Sequence, residues 1–301
     1  MMGENRNYIL AIALSLIILI GWQYFYAIPQ MEKQKAQEEL QQQAQGTQVQ
    51  TPQTGDQAAG GATQPGANGG VQVPGTAQQT NTAVTREAAL KQSPRVTLDT
   101  PSLRGSIALQ GGRIDDVILK DYRETVDPTS PNIILLSPSG APNPYYAEFG
   151  WVADDTNTPV PGNQTLWSAP SGATLTQDTP VTLTWDNGQG LMFNRKIAVD
   201  ENYMFTVTDS VENTGDAAAR LFPYGLVSRH GEPKTSGFFI LHEGLIGVLG
   251  DQGLTEIDYD DLDDGPQTFP ASTGGWLGIT DKYWAAVLAP SQDTPYDGKF
   301  S

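Results

Sequence analysis

The sequence predicts a mainly β protein: one amino-terminal transmembrane helix, a polar linker, and a large antiparallel β-sandwich over residues 95–301. Two observations predict it. Residues 8–28 form an uncharged apolar run broken only by Ser15, Gly21 and Gln23. From Arg95 onward, short runs rich in β-branched and aromatic residues alternate with Gly, Pro, Asn and Asp. That second region has no convincing helical period over four turns and no βαβ rhythm, which leaves an antiparallel sandwich or barrel.

At ~1.5 Å per residue, a helix over 8–28 spans about 30 Å, the thickness of a bilayer's hydrocarbon core. A helix in a globular core is seldom apolar on every side for that length. The run ends in Trp22, Tyr24, Phe25 and Tyr26 and lacks the small-residue pattern of a cleaved leader. Amphipathic rings gather at membrane–water interfaces, and Tyr8 takes the same place at the other end. Tyr8, Trp22, Tyr24, Phe25 and Tyr26 are therefore read as interface anchors of an uncleaved helix. Arg6 before the run and Lys33 and Lys35 after it nearly balance, so orientation rests on the long polar tail, which favours its translocation.

Residues 29–94 read as a stalk and linker. EKQKAQEELQQQAQ, residues 32–45, consists almost entirely of good helix formers, with the single large apolar residue Leu40. From Gln41 to Thr85 the only charged residue is Asp56, and no aromatic residue lies between Tyr26 and Tyr122. Such a stretch buries too little apolar area to offset its ordering entropy, so a flexible tether is expected.

In the β region, Val181, Leu183 and Trp185 alternate with Thr182, Thr184 and Asp186, the pattern of a strand with one buried face. Trp185 is expected to be largely buried. Asn187-Gly188 supplies a hairpin turn, because both residues tolerate positive φ. The return strand puts Leu191, Phe193, Ile197 and Val199 on one face. After a second turn at Asp200-Glu201-Asn202, Tyr203, Phe205 and Val207 repeat the pattern. Residues 95–301 are too many for one immunoglobulin-like unit, so two extended sheets fit better.

The formal net charge of −17 argues against nucleic acid and against docking on anionic lipid, both of which need basic surface. The absence of cysteine excludes disulfides, CxxC redox chemistry and thiolate metal sites. Two histidines occur, His230 and His242. His230-Gly-Glu232 has the H-x-E form of a zinc deaminase without its cysteines, and His242-Glu243 is not H-E-x-x-H. A sugar-converting sandwich would use a His and a Glu as acid and base, but no spacing here brings them together. Both histidines are read as loop or strand-edge residues.

DQGLTEIDYDDLDDG, residues 251–265, has seven carboxylates and no basic residue. It fails the EF-hand register: counted from Asp258, the fifth position is Leu262, and no Glu closes the loop. It is read as a solvated acidic loop, and GLIGVLG, residues 244–250, as bends in a strand. No catalytic residue, cofactor or metal is expected, and no enzyme activity.

Three stretches in order resemble the YidC membrane protein insertase family. They are the opening RNYILAIALSLIILIGWQYFY, the run TPSLRGSIALQGGRIDDVILKDYRETVDPTSPNIILLSP after the tether, and STGGWLGITDKYWAAVLAPSQD. The resemblance implies a Gram-negative inner-membrane protein with residues 1–7 in the cytoplasm and a periplasmic β-supersandwich over 95–301. Its implied partners are nascent inner-membrane proteins, Sec translocon components and the lipid bilayer, with no cofactor and no bond chemistry. The family's insertase groove lies in five further membrane helices. No second apolar run of membrane length occurs here, so groove residues have no counterpart and the chain reads as the amino-terminal part of an insertase. On the same reading the periplasmic domain lacks its last strands and closing helix. From other classes, a membrane-tethered carbohydrate-binding or mutarotase-like module fits the same layout, as does an envelope scaffold.

Overall fold

The computed structural model describes residues 84–233 and 242–301. The expected anchor, with Tyr8, Trp22, Tyr24, Phe25 and Tyr26, and most of the expected linker lie outside the described residues. Among those described, no helix is long and apolar enough to cross a membrane.

The domain begins earlier than Arg95. A short helix, α1 (Arg86–Leu90), is capped by Thr85, whose hydroxyl accepts from the Ala88 N–H, and it buries Ala89. The Val84 N–H donates to the Gly140 carbonyl at 3.1 Å, and Arg86 forms an ion pair with Asp116. Val84 and α1 fall within the expected linker, because one capped turn with one buried methyl group is too small a signal to show against Gln- and Gly-rich surroundings.

Strands β1 (Arg95–Asp99), β2 (Leu103–Ala108), β3 (Ile114–Arg123), β4 (Asn132–Leu136), β5 (Tyr145–Ala153) and β6 (Thr174–Leu175) follow. After them come β7 (Val181–Asp186), β8 (Leu191–Val199), β9 (Phe205–Asn213) and β10 (Leu221–Arg229). A seven-stranded sheet runs β10-β5-β3-β2-β1-β6, with β4 also on β3, and β7-β8-β9 form a separate sheet. Pairing is antiparallel throughout, as expected, apart from a two-residue parallel contact of β1 with β6. The three-stranded sheet lies over one face of the larger one: Trp151 of β5 meets Phe193 of β8 at 6.2 Å between ring centroids. Between them sits a core that includes Leu98, Leu103, Val117, Leu183, Phe193 and Ile197.

The alternation in β7 and β8 holds, with Val181, Leu183, Leu191, Phe193, Ile197 and Val199 buried. Three expectations need correction. Trp185 is only half-buried, because it closes the strand beside the turn and rests against Phe193, its cross-strand neighbour, at 5.5 Å. The turn is a four-residue loop in which Gly188 (φ 70) and Gly190 (φ 93) take the left-handed conformation. Asn187 contributes through its side chain instead, accepting from the N–H of Gln189 (2.8 Å) and of Leu191 (3.0 Å). Tyr203 precedes β9 at φ 68 and is exposed, so only Phe205 and Val207 continue the pattern.

The rest of the chain forms β11 (Gly244–Leu249), β12 (Leu254–Asp258), β13 (Gln267–Ser272), β14 (Gly275–Thr280), β15 (Ala285–Leu288) and β16 (Tyr296–Phe300). They make a sheet β12-β11-β14-β15 and a pair β13-β16. Leu249 is fully enclosed, so close to Gly298 that a Cβ there would stand 2.5 Å from its Cδ2. The acidic segment is not a loop throughout, although Asp251, Glu256, Asp258, Asp260 and Asp261 are exposed to solvent as expected. Its centre is β12, paired with β11 and anchored by Ile257, buried opposite Leu245, and 3-10 turns flank it at 250–252 and 259–264. Of GLIGVLG, Gly244–Leu249 form strand β11, and Gly250 opens the 3-10 turn after it. Tyr145 of β5 donates to the Ile279 carbonyl (3.4 Å), and Arg229 of β10 pairs with Asp281 (2.6 Å), joining this sheet to the seven-stranded one.

Candidate functional site: a charged layer on the seven-stranded sheet

Two adjacent carboxylates on β3, Asp115 and Asp116, are both buried. In a regular strand neighbours point to opposite faces. Here the β2–β3 register shifts, pairing Ser106 with Asp116 and Ile107 with Ile114, which leaves Asp115 as the extra residue of a bulge. The bulge lets both carboxylates join one network. Arg95 reaches Asp115 and donates through Nε to the Ser106 hydroxyl (2.6 Å), and that hydroxyl donates to Asp116 (2.6 Å). Arg86 from α1 closes the network on Asp116. Burial pushes the Asp115 carboxyl above the usual range, against the opposing pull of Arg95.

Farther across the sheet, Arg113 donates to Glu148 at 2.5 Å, with Glu148 2 % exposed. The Arg113 guanidinium lies 4.7 Å from the centre of the Tyr146 ring, and its Nη1 reaches the Ser139 hydroxyl (3.3 Å). Tyr224 of β10 donates to the other Glu148 oxygen at 3.0 Å. Its ring crosses Gly150, where a Cβ would stand 2.6 Å from the ring atoms. Burial, and then the Glu148 charge, hold the Tyr224 hydroxyl well above the usual phenol range, so it remains a donor.

Of the two sequence-flagged histidines, His230 adjoins this layer. Its Nε2 lies 3.2 Å from the Tyr146 hydroxyl; burial, and then Arg113, lower its pKa, so the ring is mainly neutral at pH 7. His242 sits elsewhere: Nε2–H donates to the Leu245 carbonyl (2.8 Å), and Nδ1 is 3.2 Å from Asp258. Glu232 is exposed. Among the described residues, no group of three or more His, Asp or Glu stands placed to hold a metal.

Sequence reasoning missed a second charged feature. Arg195, in the middle of β8, is 0 % exposed. It makes a bidentate pair with Asp209 (2.8 and 2.7 Å), donates to the Gly112 carbonyl (3.2 Å) and lies 4.9 Å from the Trp167 ring centre. Gly112 (φ 61) must stay bare, since a Cβ would stand 2.9 Å from Arg195 Nη1. The signal was present: alternation places Arg195 inward between Phe193 and Ile197, and Asp209 inward between Val207 and Val211.

Chemically, the layer sets Arg86, Arg95 and Arg113 against Asp115, Asp116 and Glu148, each carboxylate already engaged by an arginine. Such an arrangement fixes strands in place and leaves its carboxylates poorly suited to accept a substrate's proton. Through side chains it links α1, β1, β2, β3, β5 and β10.

Fold and charged layer together define a class: a mainly β domain of facing sheets, cysteine-free and cross-linked by internal ion pairs. The chain belongs to the YidC periplasmic domain family, whose model matches residues 95–301. It is 54% identical to the membrane protein insertase YidC of Methylobacterium nodulans, over 100% of this chain and 49% of that protein. Against the insertases YidC of Bradyrhizobium diazoefficiens and Beijerinckia indica the identities are 51% and 53%, again over 100% of this chain and over 48% and 49% of theirs. The chain thus spans about half the length of the curated relatives it matches.

Proposed function

We propose that this chain serves a membrane protein insertase and chaperone, supplying its amino-terminal anchor and periplasmic domain. It would assist nascent inner-membrane proteins into the bilayer, alone or beside Sec translocon components, without bond chemistry. The observation that carries this reading is the 54% identity, which extends over 100% of the chain, apolar opening included. In this reading residues 1–7 are cytoplasmic, 8–28 span the inner membrane with Tyr8, Trp22, Tyr24, Phe25 and Tyr26 at its two interfaces, and the β domain is periplasmic. The charged layer then has a structural task, since a domain without disulfides depends on packing and internal pairs for rigidity.

The test is a chimera. Residues 1–301 replace the matching half of the Methylobacterium nodulans insertase, and the product is expressed in cells depleted of their own. Growth at a rate close to the parent's is expected. A chimera that reaches the membrane, folds and supports no growth would overturn the proposal. Protease added to the periplasmic side should remove the β domain and spare the amino terminus.

A further inference from the structure

Three segments distant in sequence bring aromatic side chains together at the surface, two of them exposed tyrosines and the third, Trp284, half-buried against the core. Tyr122 ends β3, Tyr203 sits in the β8–β9 turn, and Trp284 lies between β14 and β15. Tyr122 and Trp284 meet at 4.9 Å with their planes 74° apart, forming a corner. The Tyr203 hydroxyl donates at 3.4 Å to Oδ2 of Asp121, beside Tyr122 in sequence. Tyr122 is 44 % exposed and Tyr203 37 %.

Two backbone irregularities hold this arrangement. The β3–β4 register shifts between Ile118 and Arg123, and Asn132 secures the distortion by donating to the carbonyls of Lys120 (2.9 Å) and Tyr122 (3.1 Å). Bulges of this kind re-aim side chains at strand ends. Tyr203 takes φ 68, a conformation strained for a bulky residue. Strain in an exposed aromatic residue is retained where the surroundings fix it, and it clusters at binding sites.

The nearby cations are directed elsewhere. Lys120 pairs with Asp99 (2.6 Å), Arg123 donates to the Ser130 carbonyl (2.6 Å), and the Lys282 ammonium lies 5.2 Å from the centre of the Tyr283 ring. Among the described residues, what remains at the corner is two phenol rings, an indole and the Asp121 carboxylate, on a chain of net charge −17. Aromatic faces attract cations through their quadrupole, and quaternary ammonium ions, which cannot donate hydrogen bonds, favour such cages.

We propose that Tyr122, Tyr203 and Trp284, with Asp121, form a binding site for a trimethylammonium group, as carried by choline or a choline-type lipid headgroup. The site does not depend on the insertase reading. The test is saturation-transfer NMR on the methyl protons of tetramethylammonium and choline, with the full chain in maltoside micelles at matched ionic strength. The neutral carbon isostere of choline is the control. Binding of the cations at least roughly tenfold tighter than the isostere is expected. Trp284→Ala and Asp121→Asn should each weaken it several-fold. Tyr203→Gly removes a ring while suiting the left-handed backbone, so it tests the site in a folded chain even where Trp284→Ala disturbs packing. Phosphatidylcholine in nanodiscs displacing tetramethylammonium would assign the group to a lipid; displacement by free choline alone would assign it to a solute. Equal binding of the isostere, no binding of either cation, or full binding by folded Tyr203→Gly and Trp284→Ala variants would overturn the proposal.

Discussion

Removing the Asp209 carboxylate should be among the most damaging single changes in the domain. Arg195 has 0 % of its side chain exposed, so Asp209→Ala would leave a guanidinium enclosed with the Gly112 carbonyl and the Trp167 and Phe149 faces as partners and no counter-charge bonded to it. Breaking a buried pair from one side costs about 3–5 kcal/mol, mostly through the charge left behind. The reverse change, Arg195→Met, leaves Asp209, whose side chain is 14 % exposed, nearer to water. It should cost less, about 2–3 kcal/mol. Replacing both, as Arg195→Met with Asp209→Leu, removes both desolvation penalties and should fall within about 1 kcal/mol of the parent. The assay is equilibrium urea denaturation of the full chain followed by tryptophan fluorescence, closed as a double-mutant cycle. At a slope of about 2–3 kcal/mol per molar, Asp209→Ala should lower the midpoint by roughly 1–2 M. Because the pair is enclosed, raising the salt should change the coupling little. An Asp209→Ala loss below about 1 kcal/mol, or a double variant no more stable than Asp209→Ala, would refute the reasoning.

Phe193→Ala should cost about 3–5 kcal/mol as a core truncation, and Trp185→Ala clearly less, since Trp185 is only half-buried; denaturation midpoints in the reverse order would contradict the packing described. His230, held below the usual 6.5 by burial and Arg113, contributes stability that is complete above that value and is lost as pH falls through the lowered one. Midpoints measured from neutral to mildly acidic pH should therefore decline less in His230→Gln than in the parent, and parallel curves would count against the assignment. Gly150→Ala should push the Tyr224 ring off Glu148, and a crystal structure showing the 3.0 Å bond intact would show that the ring has room to spare.

The strand pattern was legible where one face is apolar. Strand β8 was expected because Leu191, Phe193, Ile197 and Val199 fall on one face at period two, which fits no helix. β12 was obscured by its own carboxylates: Glu256 and Asp258 flank Ile257, so its one buried side chain was outweighed by the charge around it. The Asn187-Gly188 signal located a turn but not its type, since Gly188 takes the left-handed backbone while Asn187 closes the turn through its side chain. The charged layer was hidden for a different reason. Asp115 and Asp116 break alternation in sequence and regain a common network only through a bulge, and a bulge is a property of two strands together. Arg195 and Asp209, by contrast, needed no knowledge beyond the alternation already in use.

The place where the chain enters the domain has a mechanical consequence. Tension arriving from residues before Val84 passes first into α1, held by the Val84–Gly140 bond, the buried Ala89 and the Arg86–Asp116 pair. Asp116 belongs to β3, which has β5 on one side and β2 on the other. A pull from that end is thus delivered to the middle of the sheet, where neighbouring strands on both sides must slide together before any is freed. Had the chain entered through an edge strand, the same tension would peel bonds one at a time. Cutting the Arg86–Asp116 link should convert the first geometry toward the second, lowering the force at which the domain opens without altering how it folds.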